Sequence, residues 1–515
     1  MIPVKIEQVV QAVGGELLTQ DAAVMIKNVT IDSREQAEAA LFVPIIGEKT
    51  DGHKYVSGAL NNGAVALFMQ RETMYREEIL SLAKECSAAV IAVEDTVAAL
   101  QHLAGWYRDC FDIPVVGITG SVGKTTTKEM IAAALETEKR VLKTIGNKNS
   151  QIGLPLMMFY MEDSYEIAVI EMGMSEPGEM KNLAAVAKPE CAVVTNIGVA
   201  HIAQLGSKEN IRKEKLNIVN QFDKNSVLFV NGNDTLLHKT ATEITQKSIT
   251  IDCSKETKAV LESTRAFTYG ILENDIPESE DGTWKSEMPE NGIQVYSDAG
   301  FDITAVDVVT EGSGIGFTAV FLENGMEKRI PVQLKVYGTH NVMNALAALA
   351  VAMRYGIAPE RAVGGLAQYE PIAMRGQIKK DNGIIWIDDT YNASPDSMKS
   401  GAQVMLSLEG NRHIAVLADV LELGEASETL HREVGAYLSD LTEKGRKTDI
   451  LVTVGTQAAY IAEEAKRQGM TNVHSFSTNI EAVGFLRNVL GEGDVVLVKG
   501  SRGMKTEEIV KAFVN

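Results

Sequence analysis

The chain has 515 residues, of which 45% are hydrophobic and 23% are charged, and its formal net charge is -20. This length exceeds the size at which one hydrophobic core stops growing, so we expect about two to four domains. The acidic balance disfavours broad contact with nucleic acid or with an anionic membrane, because such binding needs clustered Lys and Arg.

The sequence shows no segment typical of secretion or membrane insertion. The N-terminus lacks a basic stretch followed by a sustained apolar run, and the densest apolar run, from Ala345, is too short to span a bilayer. We therefore expect a cytoplasmic protein. A monomer is the expected state, but the sequence does not fix the oligomeric state. The cysteines lack CxxC spacing, which indicates reduced, structural thiols and no zinc site. They are Cys86, Cys110, Cys191 and Cys253.

The N-terminal residues alternate short apolar runs with turn signals, which predicts a small α/β domain over residues 1–108. The apolar run IPVVGITG, from Ile113, opens a second α/β domain, predicted over residues 109–372. Later strands at YEIAVIEMG and CAVVTNIG alternate with helical patterns, which favours a mostly parallel sheet. A helix is predicted directly after the first strand, and its apolar face consists of Met130, Ile131, Ala134 and Leu135.

A Gly-rich segment, GITGSVGKTTT from Gly117, lies between that strand and that helix. Glycines let backbone N–H groups curl around phosphate oxygens, so we expect Lys124 to reach a nucleotide's β- and γ-phosphates and Thr125 to bind Mg²⁺. Ile118 stands where a strict phosphate-loop motif has its first glycine, and a purely structural turn is the alternative. The expected nucleotide contacts in the loop are Gly120, Ser121, Gly123, Lys124, Thr125 and Thr126.

Three further polar residues are candidates for metal binding. Glu171 ends an apolar strand at the sheet edge where the phosphate loop also lies, although it equally fits an exposed acid that caps a strand. His201 follows a strand and Lys215 lies in a predicted helix. Taken alone, such residues are more often a structural histidine and a solvated lysine.

The second half of the chain begins with an irregular stretch. Between about Cys253 and residue 300 the pattern lapses into Gly, Pro, Ser and acidic residues, so we predict an acidic surface insertion. GSGIGF, from Gly312, favours a hairpin turn over a dinucleotide site. Apolar strands at GIIWIDD, HIAVLAD, DILVTVG and DVVLVKG then predict a doubly wound α/β domain over residues 373–515. The acidic residues of the predicted insertion include Glu273, Asp275, Glu278, Glu280 and Asp281.

Together these segments resemble the Mur ligase family from Asp32 to the C-terminus. TGSVGKTTT, TIGNKNSQIGLP, EMG and TNIGVAH occur in the family's order, and DSR, LFVPIIGEKTDGH and NNGAVA look like its uridine-nucleotide-binding domain. IDDTYNASP from Ile387, with LADVLELGEASETLH and VLVKGSRGM, is similar to the branch that adds D-alanyl-D-alanine. The resemblance implies three domains, the third Rossmann-like, and an ATP-dependent ligase acting on UDP-MurNAc-tripeptide and D-alanyl-D-alanine.

The resemblance also implies roles for individual residues, including a carbamylated Lys215 and two Mg²⁺ ions. The implied catalytic residues are Lys124, Glu171, His201, Lys215 and Arg375. The implied metal ligands are Thr125, Glu171, His201 and Lys215. The further nucleotide contacts are Asn341, Asn344, Arg375 and Asp389. The substrate contacts are Ser33, Arg34, Asn147, Asn149, Ser150, Tyr391, Asn392 and Ser394.

The sequence departs from the family pattern at a few positions. Asn217 replaces a glutamate two residues after Lys215, Ser150 breaks the usual Asn pair, and LADV replaces LGDM. Another Mur-type ligase, a folylpolyglutamate synthase-like ligase and a non-catalytic nucleotide-binding scaffold are the alternatives. The sequence leaves open whether the tripeptide ends in meso-diaminopimelate or in L-lysine.

Overall fold

The computed structural model describes residues 1–19, 24–272, 301–311, 314–323, 325–443 and 445–514. These residues form three α/β units in chain order, each built on one main sheet. The predicted α/β class with three domains is therefore confirmed.

The N-terminal unit packs helices against a short sheet. Its strands are β1 (Val4–Lys5), β2 (Glu16–Leu17), β3 (Met25–Ile26), β4 (Asn28–Thr30), β5 (Ala40–Phe42), β6 (Ala64–Gln70) and β7 (Ala89–Val93). Its helices are α1 (Ile6–Val13), α2 (Val56–Asn61), α3 (Arg76–Glu85) and α4 (Thr96–Arg108), with a 3-10 turn at Gly52–Tyr55. Across the described part of this unit, the main sheet has the order β2-β7-β6-β5-β4 and is parallel from β7 to β4.

The central unit carries the largest sheet. Its strands are β8 (Val115–Thr119), β9 (Val141–Lys143), β10 (Ile167–Glu171), β11 (Cys191–Val194), β12 (Val227–Asn231), β13 (Arg265–Ile271), β14 (Ile303–Glu311), β15 (Gly314–Glu323) and β16 (Met326–Leu334). Its helices are α5 (Lys124–Leu135), α6 (Gly153–Met158), α7 (Glu179–Ala187), α8 (Ile202–Leu205), α9 (Lys208–Leu216), α10 (Thr235–Thr245), α11 (Lys255–Ser263), α12 (Thr339–Arg354) and α13 (Pro359–Leu366), with a 3-10 turn at Asn217–Gln221.

Strand order in the central sheet places the predicted phosphate loop after an interior strand, β8, which lies between β11 and β10. Within the described residues the order is β16-β15-β14-β13-β12-β11-β8-β10-β9, parallel from β9 to β14 and antiparallel beyond. Helix α5 follows β8 as predicted, and its four predicted apolar residues are all buried. The mostly parallel sheet predicted for this unit is confirmed.

The C-terminal unit is a second doubly wound sheet. Its strands are β17 (Gln377–Asp381), β18 (Ile384–Asp389), β19 (Arg412–Ala418), β20 (Ile450–Val454), β21 (Val473–Phe476) and β22 (Asp494–Lys499). Its helices are α14 (Pro395–Ser407), α15 (Ser427–Asp440), α16 (Ala459–Arg467), α17 (Asn479–Val489) and α18 (Glu507–Lys511), with 3-10 turns at Gly424–Ala426 and Arg502–Met504. Over the described residues the order is β17-β18-β22-β19-β20-β21, with β17 antiparallel and the rest parallel.

The prediction of an acidic insertion from about Cys253 is wrong over its first part. Residues 255–271 form α11 and β13, and β13 is an interior strand that pairs with β12 and β14. Sequence patterning missed them because β13 buries only its middle residues, so its apolar signal is diluted. The five acidic residues named for the insertion lie outside the described residues. Of the segment GSGIGF, Gly312 and Ser313 also lie outside them, and the described remainder starts β15, which pairs antiparallel with β14.

Membrane insertion was also tested on the structure. None of the helices in the described part of the chain is long and apolar enough to cross a bilayer.

The interior position of β13 predicts a stability effect at Tyr269. This residue is buried, and its hydroxyl donates to Val194 O at 3.4 Å. Tyr269→Ala should lower the free energy of unfolding of the central unit by about 3–5 kcal/mol, as for other large buried aromatic residues. Urea unfolding should show this loss, whereas Arg265→Ala, at an exposed position of the same strand, should stay close to wild type. Equal stability of the two variants would contradict the interior placement of β13.

Candidate functional site

A cavity of about 610 Å³ lies between the central and C-terminal units. The central unit contributes the phosphate loop, the ends of β10 and β11, and the start of α12. The C-terminal unit contributes the loops that follow β18, β19 and β22. Carboxyl ends of parallel strands thus line the cavity from both sides, which is where α/β sheets bind ligands.

The phosphate loop is held in shape by the strand beside it. Asn196 Oδ1, after β11, accepts hydrogen bonds from Ser121 N at 3.0 Å and Val122 N at 2.8 Å. Gly120 has a φ of 149° and Gly123 one of 85°, and a Cβ on Gly120 would collide with Thr195 Oγ1. The loop therefore needs glycine at these two positions.

Lys124 lies at the start of α5, curled over the phosphate loop. Its Nζ donates to Gly120 O at 2.7 Å. Burial lowers the pKa of Lys124; Glu171 opposes that shift, while Arg375 adds to it. A lysine held by a backbone carbonyl in a loop of this shape is placed to meet phosphate charge.

Arg375 connects the two units at the same loop. Its Nη2 donates to Thr125 Oγ1 at 3.1 Å, and its guanidinium stacks on the Tyr391 ring with Cζ 3.9 Å from the centroid. Such stacking fixes the plane of a guanidinium, which suits it to bind phosphate oxygens.

Glu171 has the chemistry of a cation ligand. Its Oε1 accepts from Asn149 Nδ2 at 2.7 Å, whereas its buried Oε2 has no hydrogen-bond partner within the described structure. A buried carboxylate oxygen without a partner is costly unless a ligand or ion meets it. Mg²⁺ prefers such oxygens, and the Thr125 hydroxyl lines the same cavity.

Lys215 lies close enough to His201 to affect the pKa of its ring. Burial, Lys215 and Lys124 together lower the pKa of His201 to about 4. Its Nδ1 lies 3.3 Å from Glu422 Oε2 but forms no hydrogen bond in the described part of the protein. Lys215 is 2% exposed, and burial, with Lys124 close by, lowers its pKa well below the usual value.

The predicted metal ligands do not form a closed metal site in the described residues. Across the described residues, no cluster of three or more His, Cys, Asp or Glu is arranged to hold a metal ion. Lys215 also does not line the cavity. Mg²⁺ usually keeps waters and phosphate oxygens around one or two carboxylates, so Thr125 and Glu171 fit one ion without a closed protein cage.

The predicted nucleotide contacts after the phosphate loop also reach the cavity. Asn344 accepts from Thr127 Oγ1 at 2.9 Å and donates to Asn341 Oδ1 at 3.1 Å, which ties α12 to α5. Asp389, at the end of β18, pairs with Lys499 at the end of β22 at 2.5 Å. All of these except Thr127 line the cavity.

The predicted substrate contacts divide between two places. Asn147, Asn149, Tyr391, Asn392 and Ser394 line the cavity. Ser394 also caps α14 by accepting from Ser397 N.

The other predicted substrate contacts do not line the cavity. Ser150 Oγ accepts from Gly153 N, and it belongs to the turn before α6. Ser33 and Arg34 belong to the N-terminal unit, where the exposed Arg34 pairs with Asp32 at 2.7 Å. Gly120, which was predicted as a nucleotide contact, also does not line the cavity; it shapes the phosphate loop.

Asn217, the departure next to Lys215, is part of a structural network. It donates to Glu214 Oε2 at 3.2 Å and accepts from Thr257 Oγ1 at 3.2 Å, so it joins α9 to α11. The structure therefore gives an account of Asn217 that requires no loss of chemistry at the cavity.

Sequence reasoning missed several residues that line the cavity. They are Thr195, Asn196, His340, Tyr369, Glu422, Lys499 and Arg502. Asn196, Glu422, Lys499 and Arg502 do lie within segments that carried the family resemblance. Strand-end position was the usable signal for these four, because Asn196 follows β11, Glu422 follows β19, Lys499 ends β22 and Arg502 follows it.

Comparison with known proteins agrees with this architecture. Family models match in three consecutive parts: the Mur ligase family catalytic domain over residues 25–108, the Mur ligase middle domain over 118–352, and the Mur ligase glutamate ligase domain over 374–502. The UDP-N-acetylmuramoyl-tripeptide--D-alanyl-D-alanine ligase of Bacillus subtilis is 38% identical over 518 residues, covering 100% of this chain and 99% of that one.

Solved structures give the same result. MurF from Acinetobacter baumannii superposes with a TM-score of 0.81 at 27% identity, covering 99% of this chain and 98% of that one. MurF ligase from Thermotoga maritima in complex with ADP gives a TM-score of 0.73 at 26% identity, covering 94% and 96%.

The phosphate-loop geometry predicts the effect of removing its lysine. Lys124→Ala should reduce ATP-dependent turnover by at least about 10²-fold, because the β- and γ-phosphates lose their main side-chain cation. Lys181→Ala, at an exposed position of α7, is the matched control and should behave like wild type. Phosphate release measured at saturating ATP checks this, and near-normal turnover of the Lys124 variant would refute the loop's assignment.

Proposed function

The chain belongs to the Mur ligase family, and we propose that it ligates D-alanyl-D-alanine to UDP-N-acetylmuramoyl-tripeptide at the expense of ATP. The product is the UDP-linked pentapeptide precursor of peptidoglycan, with ADP and phosphate. The observation that supports this most is the composition of the cavity. The phosphate loop and Glu171, whose buried Oε2 has no partner in the described structure, line it on one side. The segment IDDTYNASP of the C-terminal unit lines it on the other. We place the reaction in the cytoplasm and assign it to a monomer.

Activation by ATP explains why a phosphate loop is needed. A carboxylate is a poor electrophile, so its oxygen first attacks the γ-phosphorus, which releases ADP and leaves an acyl phosphate. The ammonium of D-alanyl-D-alanine loses a proton to solvent, and the free amine attacks the carbonyl carbon. Phosphate leaves from the tetrahedral intermediate together with the original carboxylate oxygen, and the nitrogen releases its second proton to form the amide. No covalent bond to the protein is required.

The chain's own residues act in this scheme by position and charge. Lys124 and Arg375 face the phosphates and offset the negative charge that the transferring group brings. Thr125 and Glu171 would hold Mg²⁺, which lowers the repulsion between carboxylate and triphosphate when it is bound. Asn341, Asn344 and Asp389 would contact the adenosine part of the nucleotide.

Binding of the UDP substrate would span the units. Ser33 and Arg34 would anchor its uridine nucleotide in the N-terminal unit, far from the reacting carboxylate. Asn147, Asn149 and Tyr391, at the cavity, would orient its peptide end. Anchoring at both ends places the terminal carboxylate at the phosphate loop.

Lys215 is proposed to be carbamylated by CO₂ and to hold a second Mg²⁺ with His201. Its burial and lowered pKa favour the neutral amine, which is the form that attacks CO₂. A carbamate supplies hard anionic oxygens, whereas an ammonium would repel the metal. The lowered pKa of His201 likewise keeps its imidazole neutral at physiological pH and able to bind metal.

The activity itself is tested by phosphate release from ATP. Release should require both UDP-MurNAc-tripeptide and D-alanyl-D-alanine, because neither half-reaction turns over alone. Competition between tripeptides that end in meso-diaminopimelate and in L-lysine identifies the native substrate. Equal release without either co-substrate would contradict a ligase and support a nucleotide-hydrolysing scaffold.

Carbamylation predicts a rescue pattern at Lys215. Lys215→Ala should lower turnover by on the order of 10²-fold, and acetate or another short carboxylic acid should partly restore it by supplying the missing carboxylate. Lys215→Arg should not be restored, because its guanidinium fills the space with positive charge. Lys213→Ala, one half-turn away and partly exposed, is the control. Full activity of Lys215→Ala would contradict the proposed carbamylation of Lys215.

A further inference from the structure

We propose that Glu422 and Arg502, on two touching loops of the C-terminal unit, hold D-alanyl-D-alanine as a zwitterion, with Glu422 facing its ammonium and Arg502 its carboxylate. This inference rests on the proposed function, because it names the subsite of one of the two joined substrates.

The two loops are fixed to each other at the cavity. They follow the parallel neighbours β19 and β22, so they leave the sheet at the same edge. Leu421 N donates to Ser501 Oγ at 2.9 Å, and Ser501 N donates to Asp419 O at 3.1 Å. Because neighbouring strands lie about 4.8 Å apart, the side chains next to this link can reach both ends of a dipeptide about 7 Å long.

Glu422 is presented to the cavity by a fixed backbone. Its φ is 72°, and the residue two positions before it, Val420, donates its N–H to His431 Nε2 at 3.1 Å. Its carboxylate lines the cavity and is 57% exposed. Its Oε2 lies 3.3 Å from Nδ1 of the His201 ring, and no Lys or Arg of the described chain pairs with it.

The other described carboxylates of the cavity have different surroundings. Glu171 accepts from Asn149 beside the phosphate loop, and Asp389 pairs with Lys499. Asp396 lies in the first turn of α14, where the helix N-terminus stabilises its negative charge. Glu422 is therefore the carboxylate best suited to an incoming ammonium.

Among the cations of the cavity, Arg502 is the one suited to the dipeptide's carboxylate. Lys124 belongs to the phosphate loop and Arg375 holds Thr125. Arg502 uses Nη1 for both of its described guanidinium hydrogen bonds, to Glu507 Oε1 at 3.0 Å and to Met374 Sδ at 3.7 Å. Its remaining nitrogens can pair with a carboxylate in the two-pronged geometry that arginine favours.

Steady-state kinetics of charge-neutralising variants test the inference. Glu422→Gln and Arg502→Gln should each raise the KM for D-alanyl-D-alanine by about 10- to 100-fold, the effect of losing a hydrogen bond to a charged group. Their KM values for ATP and UDP-MurNAc-tripeptide should stay within about twofold, since those ligands bind elsewhere. Glu425→Gln and Lys511→Gln, at exposed positions of the same unit, are the matched controls. Unchanged affinity for ADP, measured by calorimetry, shows that the variants are folded.

Two altered dipeptides assign each charge to its partner. Wild type should discriminate against D-alanyl-D-alaninamide, which lacks the terminal carboxylate, and Arg502→Gln should lose that discrimination while Glu422→Gln keeps it. N-acetyl-D-alanyl-D-alanine, which lacks the ammonium, should inhibit wild type and Glu422→Gln equally well.

Several results would overturn the inference. A KM for D-alanyl-D-alanine that is unchanged in both variants would do so, as would a selective effect of Asp396→Asn in place of Glu422→Gln. A raised Mg²⁺ requirement of Glu422→Gln, with the dipeptide KM unchanged, would assign Glu422 to His201 and the metal instead. Absence of ligation by wild type would reject the proposed function itself, which distinguishes the two failures.

Discussion

The main constraint on this structure is that charged and polar groups are buried near the cavity without partners. Glu171 Oε2 and His201 Nδ1 are buried without hydrogen bonds in the described structure, and Lys215 is almost fully buried with a strongly lowered pKa. Such groups cost free energy in a folded protein, and the extensive apolar cores of the two flanking sheets offset that cost. In the proposed reaction a triphosphate and cations would supply the partners of these groups, and their binding would stabilise the folded protein.

The two sheets determine where these groups meet. Each sheet directs the carboxyl ends of its parallel strands into one cavity, where the loops that leave those ends meet the first turns of α5, α12 and α14. Asn196 fixes the phosphate loop from β11, Arg375 reaches Thr125 from the C-terminal unit, and Glu422 lies beside His201. The groups proposed to join the two substrates thus lie where the central and C-terminal units meet.

Much of the fold and part of the site could be predicted from the sequence, namely where a short apolar run ends in a polar residue. The phosphate loop, α5 and the strands ending at Glu171 and Asp389 combine a short apolar run with a polar residue at its end, and the structure has them as expected. β13 and β17 could not be found in this way. β13 buries only its middle, and β17, with the sequence QIKKD, is a polar edge strand without an apolar signal.

The site was less predictable because burial is a tertiary property. The run KENIRKEK around Lys215 has the composition of a solvated helix, yet Arg212, Glu214 and Lys215 are all buried. Glu422 and Arg502 are 80 residues apart in sequence, and only the adjacency of β19 and β22 brings their loops together. The motifs that resemble the Mur ligase family implied a ligase, but they could not show which charges lack a partner.

The acyl phosphate is the centre of this account, and oxygen transfer tests it directly. UDP-MurNAc-tripeptide labelled with ¹⁸O in its terminal carboxylate is ligated to D-alanyl-D-alanine, and the released phosphate is analysed by mass spectrometry. The account predicts that each phosphate carries one oxygen from the carboxylate, because that oxygen bonds to the γ-phosphorus and leaves with it. Phosphate free of the label, with pentapeptide formed in equal amount, would contradict the acyl phosphate and the role assigned to the cleft.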